Sequence, residues 1–218
     1  MALDLTEYDA AVTRFALSGA ARTRMLADQL DGKPWTVDLV AGTATFGGKV
    51  YAIDLLGTIA ADRTFLWSWA NPGAVNWTTV KDAAESLRAR GSEPGWAVLT
   101  ERKVAGGWVN ATELGWVCGE LLGERPVRFL DAGQATAVVA FPEIEIDLAT
   151  MPTAYLPGVI MNAMELAGDR VKCIALFLDS LGFDVSSTAT SVNAVRDTTS
   201  LRVDLDADGR ITNIKGAL

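Results

Sequence analysis

The sequence predicts an α+β domain in which an antiparallel sheet of hairpins and a meander packs against helices. Three observations carry that prediction. The run Phe65-Leu66-Trp67-Ser68-Trp69-Ala70 alternates large aromatics with smaller residues and ends in the turn signal Asn71-Pro72-Gly73. Gly47-Gly48 separates two long segments of strand character. Residues 158–181 carry a nearly unbroken apolar stripe at helical spacing, which marks them as a long central helix.

Taken in order, residues 4–30 read as a helix. Tyr8, Val12, Phe15, Leu26 and Leu30 fall on its spacing, and Thr6 with Asp9 forms a capping arrangement. Gly19 weakens its middle, and Gly32 and Pro34 end it. Strands are predicted over Trp35–Phe46 and Lys49–Ala60, joined by Gly47-Gly48. After a turn at Ala61-Asp62-Arg63, a strand from Phe65 to Ala70 completes the meander. Successive strand residues face opposite ways, so Phe65, Trp67 and Trp69 share one face and demand cover. That cover is either the protein's own helices or a ligand.

A helix is predicted over Thr79–Arg90, stopped by Gly91, and Trp96–Thr100 is a short strand candidate. Asn110 with Glu113 caps the next helix, whose stripe is Leu114, Val117, Cys118, Leu121 and Leu122. Val127–Leu130 and Gln134–Phe141 form a second hairpin around Asp131-Ala132-Gly133. Glu143, Glu145 and Asp147 alternate with Ile144, Ile146 and Leu148, as on the solvated face of a further strand. Pro157 suits the first turn of the 158–181 helix, whose Ile160, Ala163, Met164, Ala167, Val171, Ile174, Leu178 and Leu181 form the stripe. After a Ser- and Thr-rich stretch from Ser186 to Ser200, residues 201–215 close the chain as a hairpin.

Composition narrows the chemistry. The 218 residues fit one domain, with a subdivision into 1–150 and 151–218 as the alternative. The complete absence of histidine removes Ser-His-Asp and Cys-His catalysis and every His-ligated metal site. A net charge of −8 argues against phosphate backbones and anionic membrane surfaces, and leaves basic partners or neutral small molecules. Cys118 and Cys173, the only cysteines, read as core residues. No window is long and uncharged enough to span a bilayer, and the acids near the N-terminus do not suit a signal peptide, so the expected location is the cytoplasm.

Two motifs fail on inspection. Gly42 to Lys49 resembles a phosphate loop, but Gly48 holds the lysine position and no helix is predicted to follow. Asp204 to Gly209 matches half a calcium loop, but Lys215 stands where a bidentate Glu belongs. Neither a metal nor a cofactor is expected. Val37-Asp38-Leu39 echoes Val203-Asp204-Leu205, which shared hairpin grammar explains.

The run Trp67-Ser68-Trp69-Ala70-Asn71-Pro72, preceded by a predicted hairpin containing Leu56-Gly57-Thr58, resembles a bacterial family of unknown function with a W-x-W-A-N-P signature. The resemblance covers about residues 5–145. It supports the organising stretch and implies no activity.

The leading expectation is therefore a non-catalytic binding protein with an aromatic-lined surface or groove. Its partner is an unidentified protein, a basic one among the options, or a small molecule, and its oligomeric state is open. The alternative is a small-molecule site or enzyme floored by Phe65, Trp67 and Trp69, with Asn71 at its edge. Asp38 and Asp54 would be its carboxylates, because each lies in an otherwise apolar strand. A structural or assembly subunit is the third reading. No residue is assigned a catalytic role.

Overall fold

The computed structural model of the protein describes residues 5–74, 81–92, 95–166 and 168–217. Within them the chain is α+β, with three antiparallel sheets. The longest helix is α1, Thr6–Leu30, and it begins at Thr6 with Leu5 as its cap residue, not with a Thr6–Asp9 capping arrangement. Through its middle, α1 is buried almost all round, against α4 (Ala111–Leu121) on one side and α6 (Arg170–Ser180) on another. It takes the central place expected of the 158–181 segment.

The first sheet is the meander β1 (Trp35–Asp38), β2 (Thr43–Phe46) and β3 (Lys49–Ala52). Gly47 and Gly48 both adopt positive φ in the β2–β3 turn, as a two-residue hairpin requires. The predicted strand 35–46 is broken because Asp38 Oδ1 accepts the backbone N–H groups of Val40 and Ala41, which reverses the chain. The predicted strand 49–60 is likewise divided, since the chain leaves this sheet after Ala52 and re-enters the next as β4 (Asp54–Ala60).

The second sheet has the order β6-β5-β4-β8-β7, with β5 Phe65–Trp67, β6 Lys103–Val104, β7 Val127–Asp131 and β8 Ala135–Ala140. Gly57 of β4 stands opposite Trp67 in register, where a β-carbon would lie 2.6 Å from the Phe65 ring. The Phe65 and Trp67 rings meet edge to face at 4.9 Å. Strand β5 is shorter than predicted: Ser68–Ala70 winds into a 3-10 turn, so Trp69 leaves the shared face.

Helix α2 spans Asp82–Ser92 and contains Gly91, which lets Leu99 pack against it and does not stop it. The predicted start at Thr79 lies outside the described residues. The expected strand at Trp96–Thr100 is instead the single-turn helix α3, Ala97–Thr100. Residues 144–147 join no sheet between a turn at Pro142 and Glu143 and the 3-10 turn at Leu148–Thr150, so the predicted strand is absent there. Its alternation survives, with Ile146 and Leu148 buried and Glu143, Glu145 and Asp147 exposed.

The predicted 158–181 helix is realised as α5 (Leu156–Met161), a 3-10 turn at Asn162–Glu165, and α6. Gly168 has φ +84°, and the Asp169 side chain accepts Lys172 N–H to start α6 afresh. The third sheet, order β12-β11-β10-β9, comprises β9 (Asp184–Thr188), β10 (Ser191–Arg196), β11 (Thr199–Leu205) and β12 (Ile211–Ala217). Only β11–β12 was expected as a pair; β10 and the last three residues of β9 lie in the Ser- and Thr-rich stretch. One continuous core draws on α1, α4, α6, β5 and the third sheet, while a smaller cluster joins the end of α1 to Phe46, Val139 and Phe141.

Candidate functional site

The predicted aromatic groove is closed. Phe65 and Trp67 are fully buried, and the Trp67 indole N–H donates to the Val98 carbonyl of α3 at 3.1 Å. Trp69 lies half-buried beneath the Arg88 guanidinium, 4.2 Å from the ring centroid. Asn71 accepts Gly73 N–H in a local turn. Asp38 is exposed and spent on its own turn. Asp54 is partly buried and paired with Arg125 at 2.6 Å; burial raises its carboxyl pKa, against the pull of Arg125. The structure does not gather these six residues into one pocket.

A different constellation forms where α1 crosses α4. A β-carbon on Gly19 would lie 2.6 Å from the Trp116 carbonyl oxygen, so the glycine permits an approach that no other residue allows without movement. Polar pairs are built on either side of this crossing. Tyr8 donates its hydroxyl to Glu113 Oε1 at 2.8 Å in the core, and burial beside that carboxylate raises the tyrosine pKa. Further along, Arg22 Nη1 donates to Glu120 Oε1 at 2.6 Å and Nη2 to Glu124 Oε2 at 2.5 Å. Glu124 reaches back because Gly123 and Glu124 both adopt positive φ after α4 ends.

The two partners of Arg22 differ sharply. Arg22 and Glu120 side chains are 6% and 5% exposed, Glu124 is 69% exposed. Desolvation pushes the Glu120 carboxyl up to about 7 despite the opposing arginine, and Glu124 adds to the rise. Arg22 Nε is buried with no hydrogen-bond partner among the described residues.

This pair lines a cleft of about 470 Å³ together with Arg14, Phe15, Asp147, Leu176 and Asp179. An adjoining cleft of about 520 Å³ shares Glu124, Ile146 and Asp147 and adds Arg125 and Glu145. Five carboxylates therefore line the joined groove against three arginines. Arg22 is taken by Glu120 and Glu124 and Arg125 by Asp54, which leaves Glu145, Asp147 and Asp179 against Arg14, so the surplus charge facing solvent is negative. Of the predicted site residues, only Asp54 touches this groove's network, through Arg125.

Another cleft lies at the start of α4, beside Arg63 and Glu165. Its helix amides are partly spent, because Asn110 accepts from Thr112 and Glu113 N–H. No group of acidic or cysteine side chains suited to a metal ion occurs among the described residues.

Sequence reading passed over Arg22, Glu120 and Glu124. The signal available was Glu113, Val117 and Glu120 at helical spacing, which sets two carboxylates on the packing side of α4. A family model, described as a family of unknown function (DUF6882), matches residues 9–144, which span α1 to β8 and most of the groove. No curated protein and no solved structure matches the chain.

Proposed function

The chain belongs to the DUF6882 family, and we propose that it is a non-catalytic binding protein whose acidic groove docks a basic segment of a protein partner. One observation carries the reading: once the ion pairs of Arg22 and Arg125 are set aside, Glu145, Asp147 and Asp179 line the groove against Arg14 alone. A Lys- or Arg-rich segment meets both attraction at long range and acceptors at contact. The chain's net charge of −8 adds to the steering. A bacterial, cytoplasmic setting, with the W-x-W-A-N-P run as family signature, belongs to the same reading.

Titration calorimetry with a lysine-rich octapeptide tests it. Reversing Glu124 and Asp147 to lysine should weaken binding by at least ~10-fold at low salt. Reversing the exposed Glu85 and Glu101, which lie outside the groove and change net charge equally, should weaken it far less. Equal losses for the two variants overturn the proposal.

A second reading is a small-molecule site in which Glu120 exchanges protons beside Arg22. Its support is a buried carboxyl raised to about 7 in a cleft. The cleft would be floored by Phe15, not by Trp67 or Trp69.

A further inference from the structure

Strand β9 is the outer strand of the third sheet and pairs only with β10 among the described residues. Its free edge presents backbone N–H and C=O groups to solvent, and all its residues except the half-buried Val185 are exposed. Natural edges are usually blunted by lysine, proline or a bulge. The opposite edge strand, β12, carries Lys215 and faces a register shift at Asp204/Leu205. Asp184-Val185-Ser186-Ser187-Thr188 has none of these devices beyond its short length.

A cleft of about 660 Å³ runs between β9 and α6. Val171, Ala175 and Leu176 form its helical wall, and Val185 and Ser187 its strand wall. Leu176 and Asp179 line both this cleft and the acidic groove, so the two adjoin at α6.

We propose that the basic partner docks here by strand addition: an extended segment pairs its backbone with the free edge of β9 and sets apolar side chains against Val171, Ala175, Leu176 and Val185. This rests on the acidic-groove reading and specifies the partner's conformation. An added strand gains affinity from main-chain hydrogen bonds and specificity from alternate side chains. Asp169, Asp179 and Asp184 flank the cleft or begin its strand, against Lys172 alone, which suits a segment alternating lysine or arginine with apolar residues. The same acids disfavour a second copy of this chain, since each copy would bring the same acids and a net charge of −8.

Two synthetic octapeptides, one alternating Lys and Val and one alternating Lys and Pro, separate the claims. They carry equal charge, but proline removes every second N–H and fixes φ at about −65°, which holds the segment in the polyproline II form and off the geometry of a strand ladder. With isotope-labelled protein, the Lys-Val peptide should shift the amide resonances of residues 184–188 and slow their hydrogen exchange. Both peptides should shift Glu124 and Asp147. Val171→Ala, at a residue that lines this cleft and not the acidic groove, should weaken the Lys-Val peptide by ~5-fold and leave the Lys-Pro peptide unchanged.

Shifts at Glu124 and Asp147 from both peptides, with β9 silent, overturn strand addition and leave acidic docking intact. Silence at both places overturns both readings. Protection of β9 that appears without peptide and rises with protein concentration identifies a second copy as the occupant and overturns the hetero-partner.

Discussion

Gly19 of α1 and Trp116 of α4 meet so closely that a β-carbon on the glycine would stand 2.6 Å from the Trp116 carbonyl oxygen. That approach aligns the two helices so that Tyr8 finds Glu113 and Arg22 finds Glu120. Both the polar core and the acidic groove depend on it.

Gly19→Ala should therefore destabilise the protein by about 1–3 kcal/mol through overpacking, although alanine is the better helix former. Gly158 of α5 provides the contrast, because nothing lies within 4 Å of its notional β-carbon. Gly158→Ala should be neutral or stabilising by up to ~1 kcal/mol. Urea unfolding of the two variants checks both signs.

The Tyr8 hydroxyl supplies Glu113 with a hydrogen bond inside the core. Tyr8→Phe removes that donor while keeping the ring, and should cost about 1–3 kcal/mol in denaturant unfolding. A loss below ~0.5 kcal/mol would mean that the bond contributes nothing net.

Stability should depend on pH through Glu120. Its pKa in the folded protein, about 7, lies above the ordinary glutamate value of 4.5. Between those values the folded state holds the proton and the unfolded chain has released it, so stability falls as pH rises. The contribution is fully present below 4.5 and gone above about 7. The integrated loss is on the order of 3 kcal/mol. Glu120→Gln should flatten this slope, as measured by unfolding free energies at pH 5 and pH 8. A parallel pair of pH profiles would show that Glu120 is not the group responsible.

Trp67 should be invisible to aqueous quenchers, whereas Trp35 and Trp108, 42% and 45% exposed, should be quenched by iodide. Trp67→Phe leaves the Val98 carbonyl without its indole partner and should cost about 1–3 kcal/mol. Trp35→Phe should cost under ~0.5 kcal/mol, because much of its ring already meets water.

Cys118 and Cys173 are free and buried, and desolvation raises both thiols, Cys173 to about 12. Iodoacetamide should label neither in the native protein, and labelling in denaturant should track unfolding. Fast native labelling of either cysteine would contradict the packing of α1 against α4 and α6.

Local signals were readable where the chain needs no distant partner to interpret them. Gly47-Gly48 made a hairpin, Asn110 capped α4, and Asp131-Ala132-Gly133 turned β7 into β8. The errors came where one residue type serves two purposes. Asp38 looks like a strand acid, yet its carboxylate closes a turn. The apolar stripe from Ile160 to Leu178 continues through the break at Gly168 because both helical pieces bury the same face in one core. Trp69 keeps the aromatic period while the backbone has already coiled away from the strand.

The sequence by itself determined the α+β class, the shared strand face of Phe65 and Trp67 with its need for cover, and the exclusion of histidine chemistry, since period and composition are local properties. Only the tertiary structure decided that α1 is the central helix, that the aromatic face is closed, and that Arg22 lies against Glu120. Those facts depend on contacts between residues about a hundred positions apart, and on one glycine whose missing side chain matters only once another helix has arrived beside it.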